Sequence, residues 1–67
     1  MTRKQQATLE AIREYIAQNG LPPTQKELQD VLHVSQPSIR SRLNGLVKAG
    51  VITVEFHKAR GIRLVVP

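Results

Sequence analysis

The sequence predicts a mainly helical α+β domain: three helices followed by a two-stranded β-hairpin. Three observations lead there. Aliphatic residues recur with the 3.6-residue period as far as Gly50. From Val51 onward the period falls to two. Helix-ending and helix-starting residues, Gly20-Leu-Pro-Pro-Thr24 and His33-Val-Ser35, divide the periodic part into three.

The first helix is expected to run from Thr2 or Arg3 to Asn19. Leu9, Ile12 and Ile16 stand at i, i+3 and i+7, with Tyr15 beside them. Gly20 suits the position past the helix end, where a left-handed residue stops the coil. Pro22 and Pro23 then fix their own φ and push their predecessors out of the α region. The second helix opens on Thr24-Gln-Lys-Glu27, a capping-box pattern in which hydroxyl and carboxylate each satisfy a backbone N–H. Leu28, Val31 and Leu32 are its expected buried stripe, and it ends near Leu32 or His33. His33 falls where a left-handed residue is expected, and His tolerates that conformation better than most.

Ser35 is the expected N-cap of the third helix, with Pro37 in the first turn. Ile39, Leu43 and Leu46, joined by Val47, carry the period to Gly50. About three residues separate helices two and three, the tight turn of a helix-turn-helix. Beyond Gly50, Ile52, Val54 and Phe56 alternate with Val51, Thr53 and Glu55, as on a half-buried strand. His57-Lys-Ala-Arg-Gly61 reads as a loop, and residues 62–66 as a second β-rich run. Two strands do not stand alone in water, so the hairpin must lie on the helices and project its loop as a wing. The expected architecture is a winged helix-turn-helix, one domain over residues 1–67.

Composition narrows the function. At 67 residues without cysteine, neither disulfides nor thiolate metal sites support the fold. No apolar run is long enough to span a membrane, and the N-terminus lacks a signal-peptide core. The expected place is the cytoplasm, in association with the nucleoid. His33 and His57 are far apart and have no carboxylate cluster, and no Gly-rich phosphate loop is present. No enzyme activity, metal, cofactor or small-molecule substrate is therefore expected.

The net charge of +5 is unevenly placed. Residues 1–30 carry four bases and four acids, whereas residues 31–67 carry six bases against Glu55 alone. A one-sided positive field favours a polyanion, nucleic acid before an anionic membrane surface. At 100° per residue, Ile39, Leu43 and Leu46 share one side of the third helix. Pro37, Ser38, Ser41, Asn44, Gly45 and Lys48 face away, with Arg40 and Arg42 on the flanks. An ordinary solvated face mixes signs, but residues 31–54 contain no acid. Small outward residues let a helix backbone approach base edges in a major groove. Ser38, Arg40 and Ser41 are thus candidates for base edges, and Arg42 for the adjacent backbone. Gln36, Lys48, Lys58 and Arg60 are candidates for phosphate or sugar, the last two from the wing. Thr24 is a further candidate for backbone contact.

These residues carry a resemblance. The chain resembles the N-terminal DNA-binding domain of LexA-type repressors over nearly its whole length. "GLPPTQKEL" is similar to that family's entry into the second helix, "LNGLVKAGVI" to its third-helix end and first strand, and "RGIRL" to its wing-to-strand segment. The resemblance implies a winged helix that reads operator DNA through the third helix, supported by the wing. His33 stands where the family usually has Gly, and the turn is about one residue shorter. Arg40 and Arg42 stand where family members carry acidic, polar or histidine residues, which implies a different operator sequence. The family's self-cleaving, dimerising second domain has no counterpart in these 67 residues.

The expected function is therefore sequence-specific binding of double-stranded DNA by a transcriptional regulator, a repressor acting by occlusion. The free protein is expected to be a monomer, with pairing of two copies left to operator DNA. The rival from another class is a protein-interaction module. Such a surface normally centres on an apolar or aromatic anchor, and the third helix offers none. Non-specific nucleic-acid binding is the other alternative; it differs in the affinity ratio between sequences.

Overall fold

A computed structural model describes residues 1–65. Three helices precede a two-stranded antiparallel hairpin: α1 (Arg3–Asn19), α2 (Gln25–Leu32), α3 (Gln36–Lys48), β1 (Ile52–Val54) and β2 (Ile62–Leu64). The winged helix-turn-helix expected from the sequence is present.

Each helix starts at a hydroxyl. Thr2 accepts from the Gln5 N–H, and the Gln5 side chain accepts from the Thr2 N–H in return. Thr24 and Glu27 form the same reciprocal box, with bonds of 3.0 and 2.8 Å. Ser35 accepts from the Ser38 N–H, and Pro37 lies in the first turn. These bonds satisfy donors that would otherwise be orphaned at each helix start. The helix ends follow the sequence too. Gly20 closes α1 at φ 73°, and His33 closes α2 at φ 55°. His33 is the one non-glycine residue at positive φ among those described.

The core gathers one face of every element. Leu9 and Ile12 come from α1, Leu28 from α2, Ile39, Leu43 and Leu46 from α3, and Ile52 and Ile62 from the two strands. Thr8 is buried with them, its hydroxyl donating to the Lys4 carbonyl at 2.8 Å. Two expectations of burial fail. Val31 is 56% exposed and Val47 is 40% exposed. The short α2 needs only its Leu28 and Leu32 side to meet α1 and α3, so Val31 stays on the flank. Val47 lies about 80° round α3 from Ile39 and is likewise at the edge of the contact.

The hairpin pairs Ile52 with Leu64, Thr53 with Arg63 and Val54 with Ile62. The first strand is shorter than the alternation over residues 51–56 suggests, since regular pairing stops at Val54. Phe56 nevertheless keeps the inward side and packs on the core. One part of the second β-rich run, Val66, lies outside the described residues. Gly61 carries the backbone past Glu55 so closely that a Cβ there would strike the Glu55 carbonyl. The wing can turn there only with glycine.

Candidate nucleic-acid interface

The site is built on α3. Ile39, Leu43 and Leu46 are fully buried, which fixes the rotation of the helix. The opposite ridge, Pro37, Ser38, Ser41, Asn44 and Lys48, is exposed. Gln36 and Arg40 are exposed beside it, and Arg42 is half-buried. The outward set expected from the helical period faces solvent except for Gly45, which is half-buried against Gln5 of α1.

Hydrogen bonding prepares the start of this ridge. The Ser35 hydroxyl donates to the Ser38 oxygen at 3.0 Å while accepting from the Ser38 N–H at 3.3 Å. The Ser38 hydroxyl thus keeps its own proton for an outside acceptor. Ser41 lies in two shallow depressions, one on either side of it. One is lined by Lys4, Pro37, Ser38 and Arg42. The other includes Gln5, Asn44, Gly45 and Lys48. Two cations and two hydroxyls therefore converge on the first, and no acid lines either.

Lys4 and Gln5 belong to the site in space but not in sequence. They stand at the start of α1, more than thirty residues before α3 in the chain. The Gln5 amide fills the place a side chain at position 45 would occupy, so Gly45 lets α1 settle against α3. Only the packing of α1 on α3 brings this pair to the ridge, and no local sequence signal announces it.

The wing side is arranged differently. The Arg40 guanidinium lies over the Phe56 ring, 4.4 Å from its centre. Lys58 pairs with Glu55 at 2.9 Å, both side chains at least half exposed. That contact holds the Glu55 carboxyl below the usual carboxylate range. Arg60 is engaged elsewhere. Its guanidinium donates to both oxygens of Glu27, at 2.8 and 3.2 Å, and to the Pro22 carbonyl at 2.8 Å. Tyr15 donates to the same carboxylate at 2.8 Å, and the Thr24 N–H supplies a fourth hydrogen bond. With Arg60 as the largest cause, Glu27 is lowered to a pKa of about 2. Thr24 stands half-buried in this cluster, its oxygen already accepting from the Glu27 N–H.

Among the described residues, no group of three or more His, Cys, Asp or Glu is placed to hold a metal ion. No helix among them is long and apolar enough to cross a membrane. What the surface offers is charge, hydroxyls and a protruding helix. Arg40, Arg42, Lys48 and Lys4 take part in neither of the ion pairs found among the described residues.

Residues 1–61 match the family model described as the LexA DNA binding domain. The chain is 40% identical to the LexA repressor of Oleidesulfovibrio alaskensis over 62 residues, covering 92% of this chain and 30% of that protein. It is 40% identical over 65 residues to the LexA repressor of Magnetococcus marinus, covering 97% of this chain and 28% of that one. With the LexA repressor of Bordetella pertussis it shares 37% identity over 68 residues, which covers 100% of this chain and 32% of the relative. The chain thus spans about a third of the length of these curated relatives.

Proposed function

Since the chain belongs to the LexA DNA-binding domain family, we propose that it is a sequence-specific double-stranded DNA-binding protein that represses transcription by occluding its operator. The observation that carries this reading is the exposed, acid-free ridge of α3 between cationic flanks. In this reading α3 enters the major groove. Ser38, Arg40 and Ser41 meet base edges there. Arg42 and Lys4 grip the adjacent phosphates on the α1 side, and Gln36 and Lys48 grip backbone near the two ends of the helix. Thr24 meets sugar–phosphate near the start of α2, and Lys58 exchanges Glu55 for phosphate at the wing. Arg60 is assigned a different task, holding the wing to Glu27. The protein works on the nucleoid in the cytoplasm, as a monomer when free and with two copies side by side where half-sites are paired.

The test uses Ser41, at the centre of the ridge. Ser41→Glu changes an exposed position and should leave stability within about ±0.5 kcal/mol. On DNA it sets a carboxylate against the phosphates and base edges. Wild type and variant are titrated with a duplex selected from a random pool and with a scrambled one, at two salt concentrations. Loss of most binding by the folded variant is expected. Undiminished binding would take α3 out of the groove and favour the protein-interaction module.

A further inference from the structure

Arg40 and Arg60 are both arginines near the wing, but they spend their hydrogen bonds differently. Arg60 gives its donors to Glu27 and Pro22. Arg40 joins neither ion pair and rests instead on the face of Phe56. An aromatic face restrains a guanidinium through its π-cloud and takes none of its N–H donors. The ring itself is restrained. Phe56 is the only phenylalanine of the chain, half-buried and packed on the core just after β1. Arg40 is therefore a held plane with free donors along its edge, one turn into the helix that lies in the groove.

We propose that Phe56 is a positioning residue for base recognition, its ring holding Arg40 so that the guanidinium reads the O6 and N7 of a guanine. This rests on the reading of α3 as the major-groove helix. Arginine paired bidentately with guanine is the commonest specific side-chain contact in that groove, and its two parallel bonds need the guanidinium held at a fixed angle. A free arginine side chain must be ordered on binding; a stacked one is partly ordered beforehand. The wing thereby contributes to sequence preference through the helix, without touching a base. A stack that only shields the ring from water would leave base preference unaffected.

The experiment measures affinities for the selected duplex and for a panel with each base pair changed singly. Wild type should prefer G·C at one position by roughly 5- to 150-fold. Arg40→Ala and Arg40→Lys should lose that preference, the lysine variant while keeping its charge. Phe56→Leu keeps apolar fill but has no π-face. It should reduce the same preference by about two- to thirty-fold and leave the salt slope unchanged. Phe56→Tyr should restore it, and Phe56→Leu should have no further effect on it in an Arg40→Ala background. Phe56→Met replaces the leucine variant if that one melts early. A folded Phe56→Leu that keeps the full preference, or that weakens all duplexes alike, overturns the proposal. So does an Arg40→Ala variant that keeps every base preference, and in that case the DNA-reading function stands. A wild type without any base preference sinks both.

Discussion

Leu43 sits in the middle of the buried side of α3, with no exposed surface, between Ile39 and Leu46 one turn away on either side. Truncation there removes most of a side chain at the heart of the core cluster. Leu43→Ala should lower stability by roughly 2–5 kcal/mol, read from thermal or urea melts, the range for core leucines. In so small a domain that is enough to unfold much of the population. Glu27 is the other residue whose loss the fold should feel. Four hydrogen bonds from Arg60, Tyr15 and the Thr24 N–H hold its carboxyl ionised to a pKa of about 2, against an ordinary 4.5. A lowered carboxyl pKa means that the unfolded chain takes up a proton first. The stability it confers is therefore complete above about pH 4.5 and drains away as pH falls toward 2. Melting temperature should decline across that window in wild type. Glu27→Gln should start lower and decline less, the remaining slope owing part to Glu55, which is also lowered.

The helices were legible from the sequence because their signals are local. Caps at Thr24 and Ser35, stops at Gly20 and His33, and the Ile39–Leu43–Leu46 period each lie within a few residues of what they control. The wing was half legible. Alternation announced two strands, but not that pairing would cover three residues on each side. Nor could the sequence tell the two bases of the wing apart, because the carboxylate that Arg60 meets lies 33 residues away in the chain. Substitution should separate them. Lys58→Ala should weaken binding to all duplexes alike and lower the magnitude of the log–log salt slope by about 0.9. Arg60→Ala should instead lower the melting temperature and, where folded, leave that slope unchanged. An equal drop in slope would mean that Arg60 leaves Glu27 for DNA.

For the molecule as a whole, part of the charge bias of residues 31–67 becomes a spatial one: Arg40 and Arg42 flank the exposed ridge of α3, whereas Arg60 turns to Glu27. The sequence predicted that the second half would face a polyanion. It did not predict that α1 would add Lys4 and Gln5 to that side, since their place depends on how α1 crosses α3. The same limit hid the Arg40–Phe56 stack. Periodicity states which way a side chain leaves its own helix, and says nothing of what another element brings to meet it. Hence the outward residues of α3 were found in advance, while their supports on α1 and the wing came only with the tertiary structure.

The clasp between Arg60 and the second-helix cap also bears on the order of events in folding. Its bonds to Glu27 and Pro22 join points 33 and 38 residues apart, far beyond the separations that close a helix. Contacts of that span repay their loop-closure entropy only once the three helices have condensed. The clasp therefore belongs to the downhill side of the folding barrier, where a lost interaction hastens unfolding and leaves the folding rate nearly unchanged. Stopped-flow chevrons of Arg60→Ala should show this: a raised unfolding limb beside a folding limb close to wild type. The same arginine then acts as a latch, which governs how long the wing stays shut and has little part in how fast the domain forms.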